Sequence, residues 1–234
     1  MNYNRQEELY DAPNEHDNVT VIGVGATGSW VALALSKLGV KELQLVDMDM
    51  IETHNIPNQL YGIDQTGMAK VFACDTLCKE LGSNDTAIHP CCKKIGADNI
   101  YDINLLPNSC ETLFCLVDSM AARKEIFETV LKEGLTKTFI ETRMGLTGYR
   151  IYMVDMTNQK EIDKYRETWY SDDEAEVSAC GHSQSIVTTA MQCASHAVGL
   201  WLAKKNNAEY VPNEIIFDVH SSFILSRKFD KEGE

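Results

Sequence analysis

The sequence predicts an α/β fold in which a doubly wound, mainly parallel sheet is closed by antiparallel C-terminal strands. A short apolar strand at 19–22 enters a helix through a glycine-rich turn, and a second strand at 43–46 follows. This strand–helix–strand unit of about 30 residues is typical of parallel sheets. A third apolar strand at 111–117 and a helix at 121–133 repeat the alternation. The three observations together predict the fold class.

The other elements of the first half follow from local signals. The first helix, at 29–38, is expected to end at Gly39, a residue free to take a positive φ. A long polar loop at 49–67 leads to a helix at 68–81 and a weak strand at 86–91. Long loops that leave the carboxyl end of a strand are commonly functional, so this loop is a candidate part of a site.

The second half of the chain predicts a change to antiparallel pairing. Strands at 138–142 and 148–154 flank a glycine-bearing turn, which favours a hairpin. The polar and partly acidic stretch at about 155–183 is predicted to be an exposed crossover loop. A long helix and a closing pair of strands complete the prediction, at 185–205, 214–219 and 222–227.

Length and charge limit the function classes. The 234 residues suit one domain, 1–234, with an N-terminal arm at 1–17. The net charge of −14 makes a nucleic-acid or membrane partner unexpected, because both need clustered basic residues. We find neither a signal peptide nor a bilayer-spanning apolar stretch, so a cytoplasmic location with reduced cysteines is expected.

The glycine-rich turn predicts a nucleotide site. Gly23, Gly25 and Gly28 have the Gly-x-Gly-x-x-Gly spacing of Rossmann-like folds, in which phosphate approaches the start of a helix. Asp47 ends the second strand 19 residues after Gly28, where a carboxylate can accept hydrogen bonds from ribose hydroxyls. The alternative is a tight turn without a ligand, which the joint register of strand, helix and acid disfavours.

Charged residues near other strand ends favour a triphosphate with a metal over a dinucleotide. Asp118 follows the third apolar strand, and its hard oxygen atoms suit Mg²⁺. Lys70 and Arg123 open the two following helices and can neutralise phosphate charge. The carboxyl ends of the strands converge in doubly wound sheets, so these groups are expected to share one site. The alternatives are an N-cap role for Asp118 and solvated helix charges for the two cations.

The order of these motifs resembles the ThiF/MoeB/HesA family of ubiquitin-activating-enzyme-like adenylyltransferases. The resemblance implies binding of ATP and Mg²⁺ and adenylation of the C-terminal carboxylate of a ubiquitin-like or sulfur-carrier protein. Some members act instead on peptides or on a tRNA-borne carboxylate. The motifs that carry the resemblance are Tyr3-Asn4-Arg5-Gln6, Gly23 to Gly28, Leu45-Val46-Asp47-Met48-Asp49, Asn55-x-x-Asn58-Gln59, Lys70 and Val117-Asp118-x-x-x-x-Arg123.

The resemblance also implies roles for individual residues. Asp47 resembles the ribose-binding residue, Asn55 and Lys70 resemble phosphate contacts, and Asp118 resembles the Mg²⁺-binding aspartate. Arg5 resembles an arginine that crosses the interface of a homodimer to reach the partner's phosphates. The arm around it has few apolar residues, so we expect the arm to become ordered only by docking on that second subunit. The remaining candidate nucleotide-binding residues are Asp49, Asn58, Gln59 and Arg123.

The chain also departs from the family pattern. Asn58 stands where many members have arginine, so one phosphate-neutralising charge is absent. The two Cys-x-x-Cys pairs that hold zinc in many members are missing, and zinc is not predicted. Cys180, near His182 and before the long helix, is a candidate thioester-forming nucleophile; its alternative is a small packed residue. The competing functions are an NAD-dependent oxidoreductase and a non-catalytic subunit of an activating complex.

Overall fold

The computed structural model describes residues 1–96, 110–171 and 185–229, which form one mixed sheet with helices on both faces. The strands are β1 (Asn18–Ile22), β2 (Glu42–Val46), β3 (Ala87–Cys91), β4 (Cys110–Cys115), β5 (Thr136–Met144), β6 (Gly148–Asp155), β7 (Glu214–Asp218) and β8 (Phe223–Arg227). The helices are α1 (Gly28–Leu38), α2 (Lys70–Leu81), α3 (Met120–Glu133), α4 (Gln159–Arg166) and α5 (Val187–Lys205).

The sheet has the order β3-β2-β1-β4-β5-β6-β7-β8, which confirms the predicted fold class. The pairs from β3 to β5 in this order are parallel, and the pairs from β5 to β8 are antiparallel. Ile22 is opposite Val46 on one side and Cys115 on the other, so β2, β1 and β4 end level with one another. The chain order reverses between β1 and β4, and ligands bind at this point in open α/β sheets.

Two apolar clusters hold the helices against the sheet. One contains Val31, Val71 and Trp201, from α1, α2 and α5, and the other contains Phe127 and Tyr165, from α3 and α4. Burial of such side chains is the main favourable term in folding. Across the ranges that the structure describes, no helix is long and apolar enough to cross a membrane.

Helix α4 corrects the prediction that the whole stretch 155–183 is a loop. Asn158 caps the helix, because its side-chain oxygen accepts a hydrogen bond from Lys160 N at 3.1 Å. Ile162 and Tyr165 lie three residues apart on the buried face. Two apolar positions in a polar stretch were too weak a periodic signal for sequence analysis.

The N-terminal arm also differs from expectation, because it packs on its own domain. Tyr3 and Tyr10 belong to the apolar core, and the Tyr3 hydroxyl lies 2.5 Å from Ser83 Oγ. Gln6 Nε2 donates to Leu38 O at 2.7 Å, at the C-terminal end of α1. The arm is therefore ordered by contacts within the chain, and the expectation that it needs another subunit for order is wrong.

Candidate functional site

The turn between β1 and α1 leaves no room for side chains at two of its three glycines. Gly23 has φ +86°, and a Cβ there would lie 2.8 Å from Leu116 O. A Cβ at Gly28 would lie 1.8 Å from Gly23 O. A Cβ at Gly25 would have Gln59 Nε2 as its nearest neighbour, at 4.0 Å, so the backbone at Gly25 is open to a ligand. The turn therefore has the close packing and the exposed backbone that a phosphate-binding loop needs.

Asp47 fixes the shape of this turn. Its Oδ2 accepts a hydrogen bond from Val24 N at 2.8 Å, and its Oδ1 accepts one from Asp49 N at 2.8 Å. Burial raises the pKa of the Asp47 carboxyl, and the hydrogen bonds and the charge of Lys70 oppose this rise. The predicted ribose-binding residue thus lies directly beside the glycine turn.

Lys70 lies at the same edge of the sheet. Its Nζ is 2.8 Å from Asp49 Oδ2, and only 8% of its side chain is exposed against 53% for Asp49. The Lys70 backbone N also donates to Asp49 O at 3.0 Å. The ion pair holds a cation close enough to Asp47 to act on its pKa, with Asp49 as the more exposed partner.

The amide-rich loop after β2 supports the glycine turn from outside. Asn55 is buried, and its Oδ1 accepts from Glu52 N at 2.8 Å, so its side chain stabilises the loop itself. Asn58 Nδ2 contacts Ser185 Oγ, which precedes α5. Asn58 Oδ1 and Gln59 Oε1 are buried and find no hydrogen-bond partner in 1–96, 110–171 and 185–229. The amide group of Gln59 is the one that lies nearest to Gly25, with its Nε2 at 4.0 Å from the position of a Cβ there.

Asp118 lies just beyond β4 with an exposed side chain. The predicted alternative, an N-cap role, is wrong because Ser119 caps α3: its Oγ accepts from Ala122 N at 3.1 Å. The Asp118 carboxylate is thus free of a capping task. In the described part of the chain no three His, Cys, Asp or Glu side chains form a preformed metal cluster. One exposed carboxylate still fits Mg²⁺, which commonly binds through one or two carboxylates and substrate phosphates.

Arg123 lies behind the site. Its Nε is 2.9 Å from Glu141 Oε1, its Nη1 donates to Asp118 O at 3.1 Å, and its Nη2 donates to Thr142 O at 3.1 Å. The guanidinium therefore binds groups of the protein itself, and this placement speaks against the phosphate contact predicted from sequence spacing.

Glu141 and Arg143 on β5 were not predicted from the sequence. Glu141 is fully buried between Arg123 and Arg143, and Tyr165 donates to its Oε2 at 3.0 Å. Burial alone would lower the pKa of the Arg143 guanidinium, but the charge and hydrogen bonds of Glu141 raise it. Two opposite charges two positions apart, directly after the apolar pair Phe139-Ile140, were the available signal, since buried charges require partners.

The predicted site residues do not all come together. The glycine turn and the residues around Asp47, Lys70 and Asn58 lie beside the turn that carries Asp118. Arg5 is exposed, and its neighbour Gln6 contacts the far end of α1. That helix has 11 residues and is about 16 Å long. Cys180 and His182 lie outside the described residues.

Comparisons with known proteins place the chain among relatives of one family. The sequence pattern of the ThiF family matches residues 6–222. Ubiquitin-like modifier-activating enzyme 5 of Arabidopsis thaliana is 24% identical over 193 residues, 80% of this chain and 38% of the relative. The tRNA threonylcarbamoyladenosine dehydratase of Haemophilus influenzae is 47% identical over 49 residues, 21% of this chain and 19% of the relative. The chain thus spans less than half the length of these curated relatives.

Solved structures share the fold. PaaA has a TM-score of 0.74 at 16% identity, over 99% of this chain and 76% of that one. E. coli MccB with ATP has a TM-score of 0.71 at 11% identity, over 96% of this chain and 67% of that one. With the family match over most of its length, the chain belongs to the ThiF family.

Proposed function

We propose that this protein is an ATP-dependent adenylyltransferase that activates a carboxylate. The observation that carries the proposal is the convergence of three groups at one edge of the sheet. They are the open glycine turn fixed by Asp47, the Lys70–Asp49 ion pair and the exposed Asp118 carboxylate. Among proteins with the same fold, E. coli MccB has been solved with ATP.

The residues suit the chemistry of nucleotidyl transfer. The backbone of the glycine turn would hold phosphate at the start of α1, and Asp47 would bind the ribose. Lys70 would leave Asp49 to neutralise the phosphates, and Asp118 would hold Mg²⁺. The metal ion would supply charge stabilisation at the phosphates. The substrate carboxylate then bonds to the α-phosphorus, the bond to the bridging oxygen breaks, and pyrophosphate leaves with that electron pair.

We propose that the substrate is the C-terminal tail of a small protein of the ubiquitin-like or sulfur-carrier type. The names of the relatives support this substrate class, because ubiquitin-like modifier-activating enzyme 5 acts on a ubiquitin-like modifier. A peptide is the second candidate, because MccB has been solved with MccA. Cys180 stays a candidate for thioester formation with such a tail.

A homodimer is part of the proposal. Arg5 lies at the far end of α1 from its own glycine turn, so its side chain cannot reach the phosphates that this turn would hold. If Arg5 contributes to adenylation, it does so in the site of a second subunit.

Two measurements test the proposed function. ATP with Mg²⁺ should raise the unfolding temperature by mass action, whereas NADH should raise it much less. Pyrophosphate should exchange into ATP only when a suitable C-terminal carboxylate is added. Tighter binding of NADH than of ATP, or ATP binding without exchange across a panel of ubiquitin-like and sulfur-carrier proteins and peptides, would contradict adenylation of these substrates.

A further inference from the structure

A buried cluster of charges lies directly behind the turn that carries Asp118. Glu141 has no exposed surface, and the side chains of Arg123 and Arg143 are 6% and 8% exposed. Arg143 Nε lies 3.1 and 3.0 Å from the two carboxylate oxygens of Glu141. Arg123 Nε lies 2.9 Å from Oε1, and Tyr165 donates to Oε2. Both oxygens of the carboxylate are thus used within the protein, so the cluster has a structural task and is not a ligand site.

Arg123 connects this carboxylate to the proposed metal-binding residue. While its Nε lies beside Glu141, its Nη1 donates to the backbone carbonyl of Asp118 at 3.1 Å. Its Nη2 donates to Thr142 O on β5 at 3.1 Å. Arg123 Nε makes no hydrogen bond within the described residues, so its contact with Glu141 is an ion pair. This ion pair and the hydrogen bond to Thr142 O hold the planar guanidinium against β5 and set the direction of Nη1. One ion pair and one hydrogen bond of Arg123 thus connect Glu141 to the Asp118 backbone.

Arg143 connects the same carboxylate to the segment after α4. Its Nη1 and Nη2 donate to the backbone and side-chain oxygens of Thr168 at 2.7 and 3.0 Å. Its guanidinium carbon lies 4.3 Å from the centre of the Tyr152 ring. Glu141 is thus held between two arginines that are themselves bonded to other parts of the protein, which is what a group that orients another residue requires.

We propose that Glu141 is a positioning residue of the adenylation site and acts on Asp118 through Arg123. It would keep the Asp118 carboxylate oriented for Mg²⁺ before ATP arrives, as residues that hold a metal ligand in place do in other metal sites. The role in orienting a Mg²⁺ ligand rests on the proposed function. The structural connection from Glu141 to Asp118 can be tested without it.

Two variants break the connection with little change in shape. Glu141→Gln keeps the side-chain volume but removes the charge that Arg123 and Arg143 share. Arg123→Lys keeps a positive charge but removes the fork that reaches Asp118. Glu214→Gln is the matched control: Glu214 is also fully buried, and its ion pairs are with Arg150 and Arg227, which are on β6 and β8. If Glu141→Gln is not recovered folded, Arg123→Lys still tests the proposal.

The first readout is the Mg²⁺ dependence of ATP–pyrophosphate exchange, below the unfolding temperature of every variant. The Mg²⁺ concentration for half-maximal exchange should rise about tenfold or more in Glu141→Gln and Arg123→Lys. It should stay at the wild-type value in Glu214→Gln, even though that control also loses stability. Loss of stability alone would not move this concentration, so the comparison separates positioning from folding.

The second readout needs no activity. Hydrogen exchange of the amides at 116–123, measured without nucleotide, should be faster in both variants and unchanged in Glu214→Gln. Wild-type Mg²⁺ dependence and wild-type amide protection in both variants would overturn the inference. A wild-type protein without pyrophosphate exchange would instead contradict the proposed function, and amide protection would then decide the Glu141 connection separately.

Discussion

Ser119 and Asp118 show how neighbouring residues divide two tasks at the end of β4. Ser119 accepts the hydrogen bond that starts α3, which leaves the Asp118 carboxylate exposed and uncommitted. The division predicts that stability and activity can be lost separately at these adjacent positions.

Asp118→Ala should lower pyrophosphate exchange by about 10²–10³-fold, the usual effect of removing a group that stabilises developing charge. Its unfolding free energy should change by less than about 0.5 kcal/mol, because the side chain is exposed. Ser119→Ala is the matched control, and it should lose about 1 kcal/mol of stability while it keeps exchange. Urea unfolding and exchange assays measure both. Exchange near the wild-type rate in Asp118→Ala would remove Asp118 from the site.

His196 should make stability depend on pH. Its Nδ1 lies 2.8 Å from the Tyr149 hydroxyl, and burial lowers its pKa below the ordinary 6.5. The imidazole of His196 therefore binds a proton more tightly in the unfolded chain than in the folded one. The contribution of His196 to stability is present above about pH 6.5 and is lost as the pH falls through the lower pKa of the folded state. His196→Asn should flatten the fall in urea midpoint between about pH 8 and about pH 5. Identical slopes in His196→Asn and the wild type would exclude this role.

The elements divide into those that local sequence can predict and those that it cannot. The strands and helices around the glycine turn were predicted because apolar runs and glycines act over a few residues. Docking of the arm was not, because Tyr3 and Ser83 are 80 positions apart. The same limit applies in the site. Asp118 could be found as a strand end, but Glu141 depends on Tyr165, 24 positions away, and on two arginines.

The arm should contribute to stability within one subunit. Tyr3→Ala removes a buried ring that also bonds Ser83 and Asp85, and it should cost about 3 kcal/mol. Leu9→Ala, in the same arm but 64% exposed, should change stability by less than about 0.5 kcal/mol. Denaturant unfolding at several protein concentrations measures both effects. Equal stabilities for the two variants would mean that the Tyr3 contact is not formed in solution.

At the scale of the whole molecule, the sheet brings the strand ends together but leaves Arg5 outside the site. β2, β1 and β4 end level, so the groups that follow them meet at one edge. The arm is fixed near the opposite end of α1 by Gln6. A two-fold symmetric dimer would give each site the Arg5 of the other subunit, because the same surface then serves both chains.

Mixing two inactive variants tests this arrangement. Arg5→Ala and Asp118→Ala should each be nearly inactive alone, since every dimer lacks one residue in both sites. In an equal mixture with exchanging subunits, half the dimers should be mixed, and each mixed dimer has one site with both residues intact. The rate of ATP–pyrophosphate exchange should therefore recover to about a quarter of the wild-type activity per subunit. A monomer by light scattering, or no recovery from folded and exchanging subunits, would show that Arg5 does not act in the partner's site.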